Sequence, residues 1–230
     1  NDNQTDKLNA QLVNRLDQLD RKAARRRGEQ RPDKRKGGKG GKWNDYSRKP
    51  ERHTPRRWAV VDELNFLGIL PGIYFIFSRN GCDQAVEQCI NAGLELTTDD
   101  EVRRIRRIVD EMVEGQLSQE DLKALHFSQF RFALEEGFAP HHAGMVALFR
   151  QIVERLFEEG LVKVVFATET LALGINMPAR CVVVEKLEKF DGTGHVGLTP
   201  GEFTQLTGRA GRRGIDTIGH AVVVDHHGFI

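Results

Sequence analysis

Cysteine is scarce in this 230-residue chain: Cys82, Cys89 and Cys181 are odd in number and form no CxxC pair. A disulfide scaffold and a cysteine zinc site are both disfavoured, and a reducing cytoplasm is the expected setting. No apolar run approaches the roughly 20 residues that a membrane span requires. No basic-then-apolar leader marks secretion. A phosphate-cradling GxxxxGKS or GxxxxGKT loop is absent too. The stretch Gly37-Gly-Lys-Gly-Gly-Lys-Trp43 fails because Lys36 and Trp43 stand where Gly and Ser or Thr belong. No Asp-Glu pair is followed two residues on by His or Asp, and no GxSxG nucleophile motif occurs. His141-His142 and His226-His227 are adjacent residues, which on a strand point to opposite faces, so no metal site is expected.

A net charge of +1 conceals a division. Residues 21–57 hold 16 Lys and Arg against 4 Asp and Glu, and residues 1–20 hold 2 against 4. From Trp58 onward there are 16 against 25, so a basic segment precedes a mildly acidic body. Leu8, Leu12, Leu16 and Leu19 recur at helical spacing, which predicts a short amphipathic helix to about Arg27. Gly28 to Arg57 has almost no aliphatic residues to offset the entropy of ordering it, and it reads as a disordered linker. The expected division is therefore 1–57 as helix and linker, and 58–230 as a folded domain. The first residue is Asn, and the chain stops after an apolar run, so a fragment of something longer is expected.

Past Trp58 four short apolar runs appear: Ile73–Phe77, Val162–Phe166, Cys181–Glu185 and His220–Val224. Runs of this kind suit strands buried on both faces of a parallel sheet. A weaker strand is expected near Phe138–His141. Helical patterns over 80–92 and 145–159 alternate with the strands, which predicts an α/β layered domain. Residues 94–137 interrupt the alternation and read as an insertion of two helices, with Val102, Ile105, Val109 and Met112 as an apolar stripe. Arg103, Arg104, Arg106 and Arg107 face elsewhere, as a solvated helix face or as a nucleic-acid contact.

Three motifs carry candidate chemistry. In Gln205-Leu-Thr-Gly-Arg-Ala-Gly-Arg-Arg-Gly214, a helix would set Gln205, Arg209 and Arg212 on one face at i, i+4 and i+7. Two guanidinium forks so close call for an anion of several charges between them, such as a nucleotide triphosphate. The alternative is a surface arginine helix with a glycine cap at Gly214. Gly208 and Gly211 each cost a helix roughly 1 kcal/mol relative to Ala, which suggests close approach there. In Phe166-Ala-Thr-Glu-Thr-Leu-Ala-Leu-Gly-Ile-Asn-Met-Pro178, a strand delivers Thr168 and Thr170 to its carboxyl edge, where open α/β sheets bind ligands. Gly174 allows close approach and Asn176 offers an amide; an ordinary strand-to-loop junction would look the same. In His141-His-Ala-Gly-Met145, small residues open a helix that carries Arg150. That suits a phosphate, or equally a plain turn with buried or solvated histidines.

Taken in order, these motifs resemble the second RecA-like domain of superfamily-two helicases, in particular the Ski-type DExH group and most of all the actinobacterial HelY helicases. Tyr74-Phe-Ile-Phe-Ser-Arg79 is similar to motif IV, His141 to Met145 to motif IVa, Thr168 to Pro178 to motif V, and Gln205 to Gly214 to motif VI. The resemblance spans about 58–228. It implies a RecA-like three-layer α/β domain with a mainly parallel sheet and a helical insertion. Arg209 and Arg212 match arginine fingers that reach the γ-phosphate of ATP, with Gln205 beside the same phosphates and Gly208 in the same motif. Gly174 and Asn176 match positions that link nucleotide to nucleic acid. Ser78, Arg79, His142, Arg150, Thr168 and Thr170 match the region near the backbone of a bound single strand of RNA or DNA. Residues 185–198 match a strand-separating hairpin with a turn at Asp191-Gly-Thr-Gly194. ATP with Mg2+ would be held mainly by an upstream RecA-like domain, so the fragment should not hydrolyse ATP alone. The implied polarity is 3′-to-5′. The basic stretch 21–57 is either a spacer or an RNA-binding arm. A noncatalytic nucleic-acid-binding module with the same fold is the alternative function.

Overall fold

The computed structural model describes residues 56–168, 177, 179–185, 188–190, 195–213, 215, 216 and 218–224, with backbone alone for 188–190, 195 and 196. The amphipathic helix and basic linker expected over 1–55 lie outside the described residues, as do Thr170, Gly174, Asn176 and Gly214.

Five strands form one parallel sheet: β1 (Gly72–Phe75), β2 (Phe138–His141), β3 (Val164–Ala167), β4 (Cys181–Val184) and β7 (His220–Val223). Their spatial order is β2-β3-β1-β4-β7. Gly72 stands level with Val164 and Cys181, and Phe75 with Ala167 and Val184, so the strand ends line up. Every strand is close to its expected position, β2 included. The alternation of side chains then sorts the core. Ile73, Phe75, Val165, Ala167, Val182 and Val184 point to one face, and Tyr74, Val164, Phe166, Cys181 and Val183 to the other.

Helices cover both faces, which makes three layers. On one face lie α1 (Arg57–Phe66), through Val60, Val61 and Leu64, and α2 (Arg79–Asn91), through Cys82, Ala85, Val86 and Cys89. Burial pushes the thiols of Cys82 and Cys89 up to about 12, as it does that of Cys181, so all three are packing groups rather than nucleophiles. On the other face lie α6 (Ala147–Glu158), through Phe149, Ile152, Val153, Leu156 and Phe157, and α7 (Pro200–Thr207), through Leu206.

The insertion differs from expectation. It holds three helices: α3 (Asp99–Val113), α4 (Gln119–Ala124) and α5 (Phe127–Glu136). Capping boxes at Thr98/Glu101 and Ser118/Asp121 start the first two. The break before α5 falls at His126, whose φ of 53° is left-handed. No glycine or proline announces that break, so 119–136 reads as one helix in sequence. α3 buries Ile105 and Val109 from the expected stripe, and also Ile108 and Val113. Arg103, Arg104 and Arg106 pair with Asp100, Glu159 and Glu135, and all three are exposed with Arg107, as on a solvated face.

Between β4 and α7, β5 (Glu188–Phe190) and β6 (His195–Gly197) pair antiparallel as a short hairpin, with Phe190 opposite His195. The stretch expected to turn, residues 191–194, lies outside the described residues. Among the described residues, no helix is long and apolar enough to cross a membrane.

Candidate nucleotide and nucleic-acid site

The level strand ends divide the candidate residues between two rims of one sheet. At the carboxyl rim, β1 runs into Ser78, β2 into His142, β3 into Thr168 and β4 into Glu185. Ser78 caps α2: its hydroxyl oxygen accepts from the Gly81 amide at 3.2 Å, and its own proton remains to donate. Arg79 opens α2 and is exposed, and its Cδ passes close to Gly144. A methyl at Gly144 would come within 3.1 Å of the His142 ring, so glycine here lets the imidazole lie against the turn.

His142 is buried, and both ring nitrogens are engaged. Nδ1 accepts from the Gly144 amide at 3.1 Å, so the proton sits on Nε2, which donates to Asp83 Oδ1 at 3.0 Å. His141 points the other way, with Nε2 2.9 Å from Glu154 Oε1, while Nδ1 is buried without a partner. Burial lowers the pKa of His141 below the usual imidazole range against the opposing pull of Glu154, and the charge of Arg150 adds to the lowering. Arg150 itself is half-buried in the first turn of α6, whose N-terminus has no side-chain cap. Thr168 is buried, and its amide reaches the His141 carbonyl at 3.4 Å. Glu185 receives a two-pronged ion pair from Arg57, with Nε and Nη2 each at 2.8 Å.

The arginine motif lies at the opposite, amino rim. Here the expected continuous helix is corrected. α7 ends at Thr207, with Gly208 as its cap, so Gln205, Arg209 and Arg212 do not share a helix face. Gln205 stays exposed on the last turn of α7. Beyond it the chain runs beside Ala179 just ahead of β4: the Ala179 amide donates to the Arg209 carbonyl, and the Gly211 amide to the Ala179 carbonyl at 2.7 Å. Gly211 has φ +90°, and a Cβ there would meet the Gly219 backbone at 3.1 Å. A Cβ on Gly208 would meet the Thr204 carbonyl at 2.9 Å. The close approach that these glycines signal is therefore made by the chain to itself.

The anion beside the arginines is also partly internal. Asp216 Oδ2 accepts from both the backbone amide (3.0 Å) and Nε (2.8 Å) of Arg212, and Oδ1 accepts from Nη2 (3.0 Å). These bonds hold the Asp216 carboxyl down at about 2. Arg180 Nε lies 3.6 Å from Oδ1, near enough for attraction but too far for a hydrogen bond, while Arg180 Nη1 donates to the Gly68 carbonyl. Neither Asp216 nor Asp83 was among the expected site residues. The signal for Asp216 is its place four residues after Arg212, and for Asp83 there is none, because its partner lies 59 residues away. Among the described residues no three His, Cys, Asp or Glu gather as a metal site needs.

A three-layer parallel sheet with loops at both rims and a glycine-bearing arginine turn at the amino rim defines the class: a RecA-like helicase C-terminal domain. Residues 103–214 match the helicase conserved C-terminal domain family. The chain carries a helicase C-terminal domain of the Ski-type DExH kind. It is 57% identical over 172 residues to the probable helicase HelY of Mycobacterium tuberculosis, covering 75% of this chain and 19% of that one. Over 174 residues it is 38% identical to the DExH-box ATP-dependent RNA helicase DExH11 of Arabidopsis thaliana, covering 75% and 13%. Over 175 residues it is 35% identical to the antiviral helicase SKI2 of Saccharomyces cerevisiae, covering 76% and 13%. The chain thus spans less than one-fifth of the length of these relatives.

Proposed function

We propose that this chain is the second motor domain of an ATP-dependent helicase, working with an upstream RecA-like domain of the same protein in the cytoplasm. ATP with Mg2+, held mainly by that upstream domain, would supply the phosphoryl group whose transfer drives movement. Arg209 and Arg212 then offset negative charge that develops as the γ-phosphoryl leaves, with Gln205 beside them. Ser78, Arg79, Arg150 and Thr168, with the turn at His142 beside them, hold the backbone of a single strand of RNA or DNA.

The observation that carries this reading is the separation of the two groups to opposite rims of one sheet. Thr168 follows β3 at one rim, and Ala179 precedes β4 at the other. Contacts of this kind go to phosphates rather than base edges, and make binding insensitive to sequence and sensitive to salt.

The test is ATP turnover by the full-length protein with matched single-stranded RNA and DNA at two salt concentrations. The expected result is stimulation by at least one strand, weaker at the higher salt. Stimulation by RNA alone identifies an RNA motor, and stimulation by DNA or by both a more general one. Turnover indifferent to both strands would overturn the proposal.

A further inference from the structure

Exposed arginines such as Arg103, Arg104, Arg106 and Arg155 pair with acids on the surface. Arg212 is held differently, by a carboxylate that is itself buried: the Asp216 side chain is 6% exposed, against 26% for Arg212. Three bonds from one acid grip the residue at both ends, at its backbone amide and at its guanidinium. The backbone just before Arg212 is fixed as well. Gly211 is locked at φ +90° against Gly219, and a Cβ on Gly219 would lie 2.3 Å from the Ala210 carbonyl. Arg212 thus follows directly on a bridge from Ala210 to Ala179 and a contact with Gly219 too close for any side chain.

The hydrogen-bond inventory then decides what the pair does. A guanidinium has five N–H donors, and the Asp216 carboxylate takes only Nε–H and one on Nη2. Both protons of Nη1 and the second of Nη2 remain, on edges directed away from the acid. A phosphate can meet those donors while the carboxylate keeps its own two. The acid therefore directs the fork without consuming it.

From this geometry we infer that Asp216 is a positioning residue for ATP hydrolysis, holding the Arg212 guanidinium in the orientation that meets the phosphoryl group. The inference rests on the reading of Arg212 given above. Arg180, whose Nη1 is tied to Gly68, braces the carboxylate from the other side. Without Asp216, Arg212 keeps its charge but loses its direction, and a misdirected charge stabilises a transition state less well.

The experiment is a double-mutant cycle on ATP turnover by the full-length protein, with Asp216→Asn, Arg212→Ala and both together. Asp216→Asn is expected to lower kcat about tenfold or more while KM for ATP stays within about twofold, as lost orientation predicts. On the Arg212→Ala background, adding Asp216→Asn is expected to change nothing further. Independent losses that multiply in the double variant would assign Asp216 a structural role and overturn the inference. Faster turnover by Asp216→Asn would make the acid a restraint on Arg212, and also overturns it. If Arg212→Ala alone leaves turnover unchanged, it is the arginine reading that fails, a result distinct from either of these. Thermal unfolding accompanies each variant. Should Asp216→Asn lose its fold, Asp216→Glu, which keeps the charge but displaces it by one methylene, makes the same comparison: lowered kcat at unchanged KM supports the inference, and unchanged kcat overturns it.

Discussion

The two rims of the sheet use polar side chains in different ways. At the carboxyl rim polar side chains are engaged within the domain: Ser78 caps a helix, His142 has both nitrogens engaged, and Glu185 is locked to Arg57. Ser78 and Arg79 stay exposed there, at the start of α2. At the amino rim a long charged side chain is clamped at its root and along one edge, and its remaining donors are left outward. Several donors along one edge suit a repeating polymer, which offers the same phosphate at every step. A single directed guanidinium suits one reaction at one place. Burial and pairing are therefore used for different ends: at one rim to build the edge that carries Ser78 and Arg79, at the other to aim one side chain.

The largest expected effect breaks the amino rim. In the full-length protein, Arg212→Ala should lower ATP turnover on the order of a thousandfold, the range of an arginine that offsets transferring charge. Unchanged steady-state turnover would remove Arg212 from the chemistry. The carboxyl rim breaks through stability instead. Arg57 and Glu185 are 19% and 7% exposed, and they tie the start of α1 to the end of β4. Arg57→Ala leaves the buried carboxylate without that guanidinium and should cost about 3 kcal/mol in chemical denaturation. A loss below about 1 kcal/mol would class the bond with ordinary surface pairs.

The contrast between rims was only partly legible in the sequence. The strands were, because apolar runs such as Val164–Ala167 lie buried on both faces. The hairpin was expected over 185–198 only through the family resemblance, and its two short strands fall within that stretch. The assignment of motif residues to one rim or the other follows from strand direction, so Thr168 could be placed at a carboxyl edge from its strand alone. The arginine motif could not be placed in that way. Its spacing of four and three fits a helix, but α7 stops at its Gly208 cap and Gly211 then takes a positive φ. That angle depends on contact with Gly219 and Ala179, which no local pattern encodes. The partners of His142 and Glu185 lie 59 and 128 residues away, so local spacing says nothing of them. Tertiary partners, rather than residue types, were the missing information.

A smaller effect sharpens the same comparison through pH. The pKa of His141 is lowered chiefly by burial, so the folded state resists its protonation while the unfolded state does not. The stability that follows is present above the unfolded value near 6.5 and is lost as pH falls through the folded one. Denaturation midpoints should therefore drop as pH falls below about 6.5, and His141→Gln should flatten that drop. An equally steep drop in the variant would place the acid sensitivity elsewhere.

The smallest effect tests whether inward-turned polar groups always gain from their position. Tyr74, on β1 beneath the carboxyl rim, is fully buried against Phe166, with ring centroids 5.3 Å apart. Unlike Ser78 and His142, its hydroxyl has no hydrogen-bond partner. Burial raises its pKa well above the usual phenol range, so it stays neutral at any working pH. A buried hydroxyl without a partner costs desolvation and returns nothing, whereas the ring contributes by packing. Tyr74→Phe keeps the ring and removes the oxygen, and it should be neutral or stabilising by up to about 1 kcal/mol in denaturant. A loss of more than about 1 kcal/mol would mean that the hydroxyl is satisfied in solution, and would place Tyr74 with Ser78 and His142 among side chains whose polar atoms help to build the rim.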